Sequence, residues 1–311
     1  MNVSKPNRNR LQQPTISWLR LFFMLMGPSV FTTGCERDIE IKLVDEKPKL
    51  VVEATIENNE PPVVLLSKSY NYFSAITPQL LASGFVRGAE IFVSNGVQTH
   101  RLREYARALP GGFNIYYYSI DSSNLATAFV GEFNRQYTLR IVAEGEEYTA
   151  TTTIPNPTKR IDSVWWKPAP PQADSNQVTI MVRATDPPGF GDYIRYFTKR
   201  NSQPFLPPTN SAYDDLFVDG TTYELPVEPG VDRNTTITDK DRFFLRGDTV
   251  VMKLSNIDKA TYDFWRTMEF SYRSVGNPFS TPVKVLSNIR GNALGYFGGY
   301  ASQYRTLIIP K

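Results

Sequence analysis

A single cysteine and a single histidine, Cys35 and His100, are all that this chain offers of the two side chains on which most metal sites and nucleophile–base pairs rely. One cysteine cannot close a disulfide within the chain, so the folded state must rest on apolar cores. The histidine follows a hairpin turn on a strand, where a packed or solvated side chain is the ordinary expectation. Histidine pairs at metal-binding spacing, a phosphate-cradling glycine loop and a serine-nucleophile elbow are all missing. No apolar run reaches the roughly 20 residues that a membrane-crossing helix takes; the one at Leu21 to Met26 stops at Gly27-Pro28. Acidic residues are absent before Glu36. Residues 1–34 hold four of the 34 basic residues and none of the 31 acidic ones, so the rest of the chain carries 30 against 31. A near-neutral remainder gives no electrostatic case for a nucleic-acid partner.

What stands in that acid-free stretch is an export pattern. Lys5, Arg8, Arg10 and Arg20 precede the short apolar run, and Thr32, Thr33 and Gly34 lead into Cys35. A basic segment, an apolar segment and small residues before a cut site make a secretory signal, expected over residues 1–34. The last four residues resemble the lipobox of bacterial lipoproteins, with Thr32 where that pattern favours Leu. The resemblance implies that Cys35 is acylated and that residues 35–48 form a lipid-bearing tether. Several acyl chains would anchor it stably, since each buried CH₂ contributes about 0.8 kcal/mol. Glu36-Arg37-Asp38-Ile39-Glu40 resembles the acidic tag that sends such lipoproteins of Bacteroidota to the outer cell surface.

From Lys49 the period is two. Leu50, Val52, Ala54 and Ile56 share one face, Asn95-Gly96 marks a two-residue hairpin, and further strands follow up to Ile154. About seven short strands over residues 49–154 predict an immunoglobulin-like β-sandwich. Pro155 to Thr158 reads as a stiff linker, and residues 159–311 as a second β-rich domain with one helix. Asp258 caps that helix, expected near 258–273, with Thr261, Trp265, Met268 and Tyr272 as its packing stripe. Closing strands are expected at Val283–Ile289 and Tyr304–Ile309, with a glycine-rich connection between them. The fold class is therefore mainly β. Two long apolar connections interrupt it, Tyr70–Arg87 and the proline-rich Ser202–Pro229.

The chemistry-bearing residues are few. Asp232, Asn234, Asp239 and Asp241 lie close enough to suggest a calcium loop, but they lack the helix–loop–helix spacing, and Asx turns explain them. Gly291, Gly295, Gly298 and Gly299 sit in a β context and suggest close backbone approach, not a dinucleotide fingerprint. A pair of distant carboxylates acting on a glycoside stays open as an alternative.

Several stretches then add up to a resemblance: KLVVEATIENNEPPVVLLSKS, GAEIFVSNG, GEFNRQYTLRIVAEGEEYTATTTIP, Asp219-Gly220, SNIDKATYDF and SNIRGNALGYFGGY. Together with Cys35 they resemble the lipoproteins grouped as domain of unknown function 4249, from about Cys35 to the end. Asn292 stands where that family often has glycine. The resemblance implies a lipid-anchored outer-membrane protein that works beside a TonB-dependent transporter in capture or uptake, with no catalytic residue to carry over. The expected function is thus a non-enzymatic binding or accessory component needing no cofactor and no metal. A structural or adhesion role in the envelope is the alternative. Loops on a rigid sandwich carry recognition, so Tyr72, Phe73, Phe205 and Phe217 are the expected partner-binding residues.

Overall fold

The computed structural model describes residues 47–70, 77, 80, 83–109, 112–236, 238–275, 277, 279–281 and 283–311. The expected signal, Cys35 and most of the tether lie outside the described residues, as do Tyr72 and Phe73. Among the described residues no helix is long and apolar enough to cross a membrane.

Among the described residues fifteen strands and one α-helix follow in order. The first seven are β1 (Leu50–Glu57), β2 (Val63–Lys68), β3 (Glu90–Ser94), β4 (Thr99–Leu109), β5 (Phe113–Ile120), β6 (Arg135–Ala143) and β7 (Glu146–Ile154). Then come β8 (Arg160–Pro168), β9 (Gln177–Thr185), β10 (Tyr193–Arg200), β11 (Ala212–Tyr213), β12 (Thr222–Val227), β13 (Phe244–Leu245) and β14 (Thr249–Ile257). Helix α1 (Lys259–Ser274) and strand β15 (Ala293–Ile308) close the chain. The protein is mainly β, as its alternating sequence requires.

One large sheet runs β11-β10-β14-β15-β1-β2-β5-β4-β3-β6-β7, and β9 organises a smaller one with β12 and β13 on one edge and β8 on the other. The expected face of β1 is the buried one, with Leu50, Val52, Ala54 and Ile56 all in the first core. β1 to β7 roll over so that β7 packs against β15, an arrangement compatible with the expected immunoglobulin-like sandwich. Val178, Ile180, Val182, Ile194, Met252 and Leu254 belong to a second core, between the smaller sheet and β10-β14.

The expected boundary at residues 155–158 coincides with the passage from the first core to the second, yet Glu46–Lys311 forms one compact unit. The reason is β15. It pairs in parallel with β1 from Ala293 to Tyr300 and antiparallel with β14 from Tyr300 to Ile308. Successive side chains of a strand point to opposite faces. Phe297 and Ala301 thereby enter the first core, Leu307 packs on the second, and Tyr296 and Tyr300 turn to α1 on the other face. The junction itself is held: the Asn256 side chain accepts from Lys159 N and donates to Lys159 O.

Three local expectations change. Val283–Ile289 is not a strand, and the glycine-rich stretch after it is the start of β15. Asn288 acts as a strand in place of backbone, its amide accepting from Phe297 N and donating to the Phe297 and Thr151 carbonyls. Gly295 has φ +100°, and a Cβ there would lie 1.9 Å from the Val52 carbonyl oxygen; at Gly299 one would lie 2.5 Å from that of Thr153. Close backbone approach on both sides is what these two glycines permit. Ser202–Pro229, expected to be irregular, contains β11 and β12. The helix starts where expected, with Asp258 accepting from Thr261 N at 2.8 Å, but its buried side is rotated. Of the expected stripe Thr261 is buried and Trp265 packs at its margin, joined by Tyr262, Phe264 and Glu269, whereas Met268 and Tyr272 are exposed. A buried carboxylate draws the helix over: Glu269 accepts from both the backbone N and the hydroxyl of Ser211 and pairs with Arg233 at 3.2 Å.

Candidate functional site

The second core does not close along one margin. Between β9 and β12 on one side and β10 and β14 on the other lies a cleft of about 450 Å³. Val182, Ala184, Ile194, Tyr196, Met252 and Leu254 form its walls. Each reaches the cleft because it occupies the inward position of an alternating strand. Tyr213, Leu225 and Phe217 stand at its rim, and Phe217 is 96% exposed. The turn that carries Phe217 is tight, with the N–H groups of Val218 and Asp219 both donating to Asp215 O.

Most polar groups in the wall are tyrosine hydroxyls, and Lys159, Asp214 and Arg266 are its charged members. Tyr196 stacks on Tyr213 with ring centroids 6.1 Å apart. Burial pushes the phenol of Tyr213 up to about 12, and that of Tyr223 likewise. Tyr262 is raised to about 12 by burial, and its hydroxyl donates to Asp214 at 2.8 Å. An apolar cleft with a few placed hydroxyls is the ordinary form of a small-ligand site, the polar groups fixing orientation.

Lys159 also lines the cleft, and beyond it lies a charged cluster. The Lys159 ammonium stands 3.5 Å from Asp186 Oδ2, with both side chains buried. Asp186, Asp215 and Asp219 each offer an oxygen within 4.8 Å of the others. Asp215 Oδ2 accepts from the N–H groups of Gly191 (2.7 Å) and Asp192 (2.9 Å), and Asp219 Oδ1 from Gly189 N at 2.6 Å. Burial works to raise Asp215, but the Asp192 and Gly191 donors outweigh it and hold its carboxyl below the usual range. Asp186 goes the other way: burial raises it, and the charges of Asp192 and Asp215 add to that against the pull of Lys159.

On the opposite face of the large sheet two recesses meet at Glu53. Its carboxyl is solvent-accessible yet walled by protein, and burial raises its pKa against the opposing field of Arg195. The Arg195 guanidinium lies 3.3 Å over the Trp265 ring and donates to Ser211. Glu57, two positions further on the same face of β1, is engaged by Lys253 and Tyr304.

Of the expected partner-binding residues, Tyr72 and Phe73 lie outside the described residues. Phe205 is half-buried with its ring edge-on to Tyr304 at 5.8 Å, on the sheet face that carries Tyr296 and Tyr300. Phe217 is at the cleft, so these two described residues stand apart. The acidic loop is local: Asp232 accepts from Asn234, and Asp241 accepts from the N–H and hydroxyl of Thr238. Sequence reasoning missed Lys159, Asp186 and Asp215. The one available signal was Asp219-Gly220, noted only as part of a resemblance.

His100 is a fastener. Its Nε2 accepts from Asp121 N at 2.9 Å, which leaves the proton on Nδ1 to be donated to Thr127 Oγ1, also at 2.9 Å. Burial lowers its pKa from the ordinary 6.5, against the field of Asp121. Below that value the unfolded chain binds the proton that the folded one refuses, so stability falls as pH drops through 6.5. The thermal midpoint is expected to decline between about pH 7 and pH 5, and His100→Gln should remove that component. An unchanged decline in the variant would assign it elsewhere.

The family described as a domain of unknown function (DUF4249) matches residues 36–306. No curated protein matches the chain.

Proposed function

Because the chain belongs to the DUF4249 family, whose description assigns no activity, we propose from its geometry that it is a non-enzymatic binding module that uses the cleft of its second core. The observation that carries this is Phe217, fully exposed on a tight turn at the mouth of an apolar cleft of about 450 Å³. A large aromatic held in water costs hydrophobic free energy, roughly 25 cal/mol for each Å² of apolar surface, that a bound partner would recover. The cleft behind it takes an apolar group, and the neutral tyrosine hydroxyls orient it.

The lipobox-like Cys35 supports placing this module at the outer membrane through an acyl anchor. The family resemblance supports a TonB-dependent transporter as the partner in nutrient capture. The test is co-purification of the transporter from a detergent extract. Phe217→Ser with Leu225→Ser should lose the transporter while the thermal midpoint moves by no more than about 2 °C, since Phe217 is almost wholly exposed and Leu225 half so. Retention of the transporter by the double variant would move the contact away from the cleft. Loss of the transporter together with a collapse in stability would make these residues part of the core.

A further inference from the structure

We propose that Asp186, Asp215 and Asp219 form a divalent-cation site, calcium by its chemistry, which clamps the β9–β10 loop to the turn that carries Phe217. Acidic residues gather on many surfaces, so the cluster alone would carry nothing. The independent observation is Asp186. It is 1% exposed, and apart from the Lys159 ammonium 3.5 Å from Oδ2 neither of its carboxylate oxygens meets a hydrogen-bond donor among the described residues. A buried carboxylate is normally met by two or three donors, because removing it from water otherwise costs several kcal/mol. This one points instead at the place where the other two carboxylates offer their oxygens.

Distance and charge agree. Calcium holds oxygen ligands at about 2.3–2.6 Å, so oxygens sharing one ion lie at most about 5 Å apart. The three here are within 4.8 Å of one another. The Lys159 ammonium, 3.5 Å from Asp186 Oδ2, supplies one positive charge against three negative ones. A divalent ion brings the sum over these four side chains to zero, with the charge of Asp192 outside the count. Asp192 is not needed, because its Oδ1 accepts from the Thr158 hydroxyl at 2.8 Å. The backbone N–H groups of Gly189, Gly191 and Asp192 hold Asp215 and Asp219 in place without using Asp186. Calcium fits an irregular carboxylate set better than magnesium, which demands a near-ideal octahedron and sheds water reluctantly.

The inference stands apart from the identity of any ligand in the cleft. Its test uses the full chain in a non-ionic detergent, stripped with chelator and then titrated with calcium chloride. Calcium at about a hundred times its dissociation constant should raise the thermal midpoint by about 5 °C, and magnesium at equal concentration by much less. Asp219→Asn keeps an acceptor for Gly189 N, so its midpoint in chelator should stay near the parent's while its apparent calcium affinity falls at least tenfold. If that variant does not fold, Asp186→Asn and direct calorimetric titration of the parent chain decide. A parent chain that shows neither heat nor a midpoint shift up to about 10 mM calcium, or a shift that the folded variant keeps, overturns the site.

Discussion

A chain ending at Asn292 is expected to lose cooperative unfolding in both of its halves. Such a chain keeps fourteen of the fifteen described strands and helix α1, but it lacks the strand shared by both cores. Phe297, fully buried in the first core, goes with it, as do Ala301, and Leu307 and Ile309 of the second. Deleting one buried phenylalanine side chain typically costs about 3–5 kcal/mol, and whole domains have only about 5–15. The edges of β1 and β14 would also stand bare, inviting association with other chains. Urea unfolding followed by near-ultraviolet circular dichroism is the measurement. Fragment 49–154 makes the complementary case, since it contains β1 to β7 and none of Ile289, Phe297 or Ala301. It is expected to be unfolded or aggregated at neutral pH. A sigmoidal transition in that fragment would show that the first core suffices without β15.

Asp258→Ala is expected to destabilise the protein by about 3–4 kcal/mol, well beyond the roughly 1 kcal/mol of an ordinary helix cap. The excess comes from the second carboxylate oxygen. While Oδ1 accepts from Thr261 N at the start of α1, Oδ2 accepts from the Thr152 hydroxyl at 2.9 Å and from Thr153 N at 2.8 Å. Those two groups lie on β7, so one side chain fastens the helix to the far margin of the rolled sheet. Hydrogen bonds to a charged acceptor contribute about 1.5–3 kcal/mol each, and they are not additive at a shared residue. Asp258→Asn keeps one acceptor oxygen and should cost about half as much. Equilibrium urea titration of the two variants separates the contributions. A loss near 1 kcal/mol for Asp258→Ala would mean that the β7 contact is replaced by water at no cost.

Which parts of this architecture were legible follows from whether a feature is periodic. The face of β1 and the start of α1 are local patterns, and they stand where alternation and capping put them. Features made by distant residues left no such trace. The glycine-rich stretch before Tyr300 looked like a connection because glycine weakens strands. Here glycine is required, since the carbonyls of Val52 and Thr153 come too near for any Cβ. Asn288 and Ser287 looked like part of a strand but serve as side-chain clips on β15. The helix stripe was rotated because Glu269, polar in any periodicity count, is buried by Ser211 and Arg233. Phe217 could be named as an exposed aromatic in a loop, but nothing near it in sequence indicates the cleft it borders. Asp186 precedes Pro187-Pro188 in a loop, and its proximity to Asp215 depends on the β9–β10 loop meeting a turn that follows β11.

The parallel pairing of β1 with β15 also sets an order in time. The first of the described strands to emerge during synthesis must wait for the last of them to find one of its two neighbours. Contacts between ends of the chain are made late, after a loop-closure cost that local hairpins do not bear. Hairpins such as β6–β7 and β8–β9 can form early, while β1 is left with one edge open until the C-terminus arrives. For that interval the nascent chain is a template for mispairing, and a chaperone that shields Leu50 to Glu57 would act on the segment at greatest risk.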